Sequence, residues 1–185
     1  MNLEKYPILQ VGLKWGGILA SGMILLTLVN YIIGYENLNG AVMWITQLAW
    51  WGFVIFCLVK TNLEYRNVYL QGFLKYGQAY SSGLLVNIFS NTIFASFYYV
   101  FYEFVDKETF EKSLIKGIEQ IENNAQIPAE MKENIIMGIV EQTPQSSAFQ
   151  YLWSSILILA FFMVFIAIFT KKKNSSFSET FKDVE

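Results

Sequence analysis

The chain has 185 residues, 54% hydrophobic, 17% aromatic and only 15% charged, with a formal net charge of -2 and no histidine. Soluble domains carry charge on roughly 25% of residues. Here the runs 15–35, 37–59, 76–102 and 142–170, together 100 residues, hold no Asp, Glu, Lys or Arg. This excludes an ordinary soluble domain, a disordered chain and a nucleic-acid binder, because a near-neutral chain steers no polyanion.

A hydrocarbon core ~30 Å thick takes about 20 helical residues to cross. Each charge-free run is that long, so the expected fold is all-α: a polytopic transmembrane four-helix bundle with spans at about 8–34, 41–60, 76–102 and 149–170. The first apolar stretch is longer than a secretory h-region and lacks a small-residue cleavage site, so it reads as an uncleaved anchor.

In the first span, Gly12, Gly16, Ala20, Thr27, Asn30 and Gly34 fall three or four apart or at multiples of that spacing. Such a stripe lets another helix approach closely. Lys14 reads as an interface anchor that snorkels to the headgroups. A short turn at 35–40 makes the second span an antiparallel neighbour. That span is rich in aromatics, has Gln47 as its one amide and is expected to end at Lys60. Segment 61–75 reads either as a headgroup-layer helix, with Tyr65, Tyr69 and Phe73 four apart, or as an irregular loop.

The third span is the most polar. Ala79, Gly83, Asn87, Asn91 and Ala95 recur every fourth residue, and an amide in lipid needs a partner, so this face is expected to look into the bundle. Segment 103–148 is expected to be a helical hairpin. Asp106 caps a helix striped by Phe110, Leu114, Ile118 and Ile121; a second helix, beginning with Pro128 in its first position, is striped by Met131, Ile135 and Ile139 with Ile136 and Val140 beside them. Pro144 is expected to end that second helix. After the fourth span, Lys171, Lys172 and Lys173 form a stop, and 174–185 is a polar tail.

Basic residues set the expected orientation. Lys5, Lys14, Lys60, Arg66, Lys75, Lys171, Lys172, Lys173 and Lys182 fall on one side; Lys107, Lys112, Lys116 and Lys132 fall on the other. Both termini are therefore expected in the cytoplasm and the acidic hairpin outside it.

The chemistry expected of the chain is sparse. The spans as drawn hold no acid, which argues against ion-coupled transport. Ser81, Ser82, Ser154 and Ser155 have no base to activate them. Cys57 is a lone thiol inside an apolar run. No P-loop, metal motif or cofactor motif is present, so no catalytic, metal or cofactor residue is expected. What remains is a set of helix-packing or polar-cavity residues: Gly12, Gly16, Asn30, Gln47, Gly83, Asn87 and Asn91. Two readings stay open for the amides, interhelical hydrogen bonding or a small polar cavity for a neutral solute or lipid headgroup. The hairpin stripes likewise either pack on each other or dock on a partner or the membrane.

Several stretches resemble a known family. They are the glycine-bearing first span, the entry Tyr69-Leu70-x-Gly72-Phe73-x-x-Tyr76-Gly77-Gln78-Ala79, and the end Tyr98-Tyr99-Val100-Phe101-Tyr102-x-Phe104-Val105-Asp106. An acidic helix pair with Met and Ile and a closing lysine stop complete the pattern over residues 8–173. The chain resembles the small bacterial four-helix membrane proteins of domain-of-unknown-function family forty-one ninety-nine, with Tyr76 where that family's entry has Phe. The resemblance implies an architecture and carries over no activity. The expected role is a non-enzymatic accessory or assembly protein of the bacterial cytoplasmic membrane. Its expected partners are the lipid bilayer and either a second copy or another subunit of a membrane complex. The rival is a small pore or carrier for an uncharged solute or lipid.

Overall fold

A computed structural model describes residues 6–33 and 40–172. The expectations for Gly34, the 35–39 turn, Lys5, Lys173 and the 174–185 tail lie outside the described residues. The regular elements of the described chain are helices: α1 (Pro7–Ile33), α2 (Gly40–Glu64), α3 (Tyr76–Val100), α4 (Lys107–Glu122), α5 (Ala129–Val140) and α6 (Pro144–Thr170). Wide π-turns, Tyr65–Tyr69 and Phe101–Val105, continue α2 and α3. No strand forms among the described residues, and an isolated antiparallel bridge joins Leu74 to Lys172.

Four stretches are long and apolar enough to cross a membrane: Pro7–Ile33, Trp44–Tyr69, Tyr76–Val105 and Pro144–Thr170. A helix suits that solvent because it satisfies every interior backbone N–H and C=O within the segment.

Four expected boundaries are corrected. Lys60 does not end the second helix, which runs on through Glu64 into the π-turn, so 61–69 is neither a separate surface helix nor a loop. The reason is that Thr61 and Asn62 are buried with partners: Thr61 Oγ1 donates to the Cys57 carbonyl at 2.7 Å, and Asn62 bonds two other helices. The last helix starts at Pro144, not near 149. Thr143 and Ser146 cap its start reciprocally, Thr143 N–H donating to Ser146 Oγ at 2.9 Å and Ser146 N–H to Thr143 Oγ1 at 3.1 Å. Pro144 thus sits in the first helical position, where its missing N–H loses nothing. Pro128, by contrast, caps α5 from just outside it, and α5 has already ended at Val140.

A further correction concerns charge. The spans were expected to hold no acid, yet Glu64 falls within the second and Glu103 within the third.

The chain divides into two units, one of residues up to Ile93 together with those from Ser155, the other Phe94–Ser154. In the first, Val11, Tyr65, Leu74, Ala79 and Ala167 form a buried cluster flanked by Ile8, Trp15, Leu70 and Tyr80. It draws on α1, the π-turn after α2, α3 and α6, so the helix ends that carry these residues are fixed together.

In the second unit, aromatic rings take the place of an aliphatic core. Phe94 meets Tyr151 at 5.0 Å between centroids, Tyr98 meets Tyr102 at 4.6 Å, and Tyr102 meets Phe110 at 6.0 Å. Asp106 caps α4 as expected, its Oδ1 accepting from Thr109 N–H at 3.1 Å. The α4 stripe is as drawn, with Phe110 buried and Leu114, Ile118 and Ile121 half-buried. The α5 stripe is turned: Ile136 and Ile139 are half-buried while Met131, Ile135 and Val140 are exposed. Lys132 explains the turn, because its Nζ donates to the Glu122 carbonyl at 2.6 Å and holds that side of α5 against the end of α4.

Candidate functional site

The first unit contains buried polar residues at two levels, and both are built on α3. At the first level α2, α3 and α6 meet. Asn62 Nδ2 donates to Thr170 Oγ1 at 2.7 Å, and Ser82 Oγ donates to Asn62 Oδ1 at 2.6 Å. Thr170 Oγ1 also donates to the Ile166 carbonyl at 2.8 Å. One amide therefore joins three helices, and Thr61, Asn62 and Ser82 are fully buried. Beside this level, Lys14 Nζ lies 2.8 and 2.9 Å from the two oxygens of Glu64, and Trp15 Nε1 donates to Glu64 Oε2 at 2.9 Å. Tyr69 donates its hydroxyl to Gln10 Oε1 at 2.9 Å. Lys14 is thus not only an anchor to the headgroups; it closes an ion pair between α1 and α2.

At the second level stand Asn87 and Asn91, both fully buried. Asn87 Nδ2 donates to the Ile156 carbonyl on α6 at 2.9 Å. Asn91 Nδ2 donates to the Asn87 carbonyl at 2.8 Å and to the Asn87 side-chain oxygen. The Asn91 side-chain oxygen is buried and has no hydrogen-bond partner. One turn below Asn87, Gly83 packs against Met163 of α6, whose Sδ and Cε fill the place a Cβ would take.

The glycine stripe of α1 lies against α3. A Cβ on Gly12 would stand 3.1 Å from Leu85 Cβ; one on Gly16 would stand 2.9 Å from Phe89 Cβ and 3.3 Å from the Val86 carbonyl. Asn30 is half-buried on α1 and Gln47 is exposed on α2, and neither bonds to the Asn87–Asn91 pair. The residues singled out from the sequence therefore fall into two groups, Gly12 with Gly16 and Gly83 with Asn87 and Asn91, with Asn30 and Gln47 in neither.

The sequence reading passed over Asn62, Thr170 and Glu64. A signal for Asn62 was present. Val54, Cys57, Leu58, Thr61, Asn62 and Tyr65 continue one stripe at spacings of three and four straight through Lys60, and all six are buried.

Chemically these groups hold helices together. Thr61, Asn62, Ser82 and Thr170 all hydrogen-bond within the unit. Among the described residues, no three of His, Cys, Asp and Glu come together as metal ligands.

A chain whose described residues form helices and no strand, four of those helices being apolar and of membrane-crossing length, is a multi-pass integral membrane protein. More particularly, the chain belongs to the family described as Protein of unknown function (DUF4199), whose model matches residues 14–172. That match takes in both polar levels and every singled-out residue except Gly12. No curated protein and no solved structure matches the chain.

Proposed function

We propose that this protein is a non-enzymatic accessory or assembly subunit of a bacterial cytoplasmic membrane, working with a second copy of itself or another membrane subunit. The observation that carries the reading is how its buried polar groups are used. Asn62, Ser82, Thr170 and the Asn87 amide are committed to bonds between helices, and Glu64 is held by Lys14. Such bonds rigidify a bundle, and they spend these groups on structure rather than holding them ready for reaction. Meanwhile Phe161, Leu157, Phe165 and Phe169 of α6 remain exposed, a surface suited to lipid tails or a neighbouring helix.

In this reading both termini are cytoplasmic and the α4–α5 hairpin is extracytoplasmic. The excess of Lys and Arg flanking the first, second and fourth spans supports that orientation. Cysteines introduced as Asn67→Cys and Gln120→Cys test it: an impermeant maleimide added to intact cells should label the second and spare the first.

Cross-linking in native membranes tests the role. A cross-linked second copy or a stoichiometric membrane subunit is expected. A monomer alone, with solute flux in liposomes, would reverse it. One observation favours a second reading, a carrier of an uncharged solute: the Asn91 side-chain oxygen is a buried acceptor without a donor. If the carrier reading held, Asn87→Leu with Asn91→Leu would abolish flux.

A further inference from the structure

Four helix ends converge in the first unit. Gln10 and Lys14 of α1 bond Tyr69 and Glu64 at the end of α2. Asn62 of α2 bonds Ser82 in the second turn of α3 and Thr170, the last residue of α6. Past that junction Leu74 and Lys172 exchange two backbone hydrogen bonds, each 2.9 Å. Leu74 is fully buried, so the bridge is anchored in the core. It carries Lys75, which follows Leu74, to the same place as Lys171 and Lys172.

All three lysines are exposed. In the described part of this unit the sole carboxylate is Glu64, and its oxygens are taken by Lys14 and Trp15. Three like charges are therefore held within one residue of a backbone bridge with no described acid among them. That arrangement is unfavourable unless an anion shares it. The first turn of α3 opens at the same point and adds its partial positive charge. Immediately beside the lysines the surface turns apolar: Ile168, Phe169 and Phe73 are exposed, Phe169 the most, at 85%.

We propose that Lys75, Lys171 and Lys172 form a binding site for the phosphodiester headgroup of an anionic phospholipid, with Phe169 and Phe73 beside its acyl chains. A free phosphate would use the cations and leave the apolar wall unexplained; a lipid uses both. The site rests on the reading of the four helices as membrane spans and is independent of the assembly role.

Native mass spectrometry of the full chain in detergent tests it, with phosphatidylglycerol and phosphatidylcholine added in equal amounts. The wild type should retain phosphatidylglycerol in preference. Basic residues at an anionic surface contribute roughly a fivefold factor each, so K75Q/K171Q/K172Q should lose the preference by about a hundredfold. K75R/K171R/K172R should keep it, and so should K107Q/K112Q/K116Q on α4. Equal retention of the two lipids by the wild type overturns the site. So does an equal loss from the α4 variant, or displacement by inorganic phosphate at matching concentration. A wild type that shows no preference but still requires detergent sinks the site alone; a wild type that stays folded and monomeric without detergent sinks the membrane reading itself.

Discussion

Lys14 and Glu64, fifty positions apart, meet in a two-oxygen ion pair, Nζ lying 2.8 Å from Oε1 and 2.9 Å from Oε2. The lysine also stands 5.6 Å from the Trp15 ring centre, and Trp15 in turn donates to the same carboxylate. The pair is lopsided, with Lys14 56% exposed and Glu64 23%, so the lysine can find water and the acid depends on its partners. Glu64→Leu should therefore leave Lys14 little affected, while Lys14→Leu strands a carboxylate and costs more, about 1–3 kcal/mol. The exchange K14E/E64K should recover most of the loss but not all, because Trp15 keeps no acceptor at position 64. Thermal unfolding in detergent reads all three.

Gly16 and Gly17 are adjacent, yet their surroundings differ. A Cβ at Gly16 meets Phe89 and the α3 backbone, whereas one at Gly17 meets nothing within 4 Å. Gly16→Leu should push α1 off α3 and destabilise by about 1–3 kcal/mol. Gly17→Leu should be neutral or slightly stabilising, since leucine is the better helix former. Equal melting temperatures for the two variants would refute the close approach of α1 to α3.

Asn87 and Asn91 share a face but not a role. Asn87 reaches another helix through the Ile156 carbonyl, while Asn91 bonds only within α3 and leaves its oxygen unmet. Asn87→Leu should cost about 1–2 kcal/mol, and Asn91→Leu less than about 0.5 kcal/mol, because the orphan acceptor disappears with the amide. Chemical denaturation in mixed micelles distinguishes them; a larger loss at Asn91 would point to a ligand there.

The connection between α2 and α3 turns on Gln71 and Gly72, which have φ of 52° and 88°. This lets the Gly72 N–H reach back to the Arg66 carbonyl at 2.9 Å and close the wide turn. Gly72→Ala should destabilise by about 1 kcal/mol, since a Cβ resists that backbone region. Gly77, in the first turn of α3 with open space around it, should respond with the opposite sign, Gly77→Ala gaining roughly 0.5–1 kcal/mol. Paired melting curves check the signs.

Helix existence was legible because apolar runs of this length leave the backbone no other way to satisfy itself. Boundaries were less so, and each miss has a local cause. Lys60 looks like a stop only if charge ends a span; Thr61 and Asn62 carry the helix past it by bonding inward. Pro144 looks like a breaker only until Thr143 and Ser146 are seen to cap the helix it opens. The Asn87–Asn91 face could be read from its four-residue spacing, but the partner of Asn87 could not, since a backbone carbonyl such as that of Ile156 leaves no mark in the sequence. Nor could the pairing of Lys14 with Glu64, for which periodicity supplies no link between two helices.

Asn62 finds Thr170 across 108 positions, and Leu74 finds Lys172 across nearly as many. During synthesis neither partner exists until the fourth span has been made. The first three spans must enter the bilayer with an unsatisfied amide and a loose turn, and the arrival of the last helix acts as a latch. A nascent chain arrested before Thr170 should therefore be the form that quality-control proteases recognise.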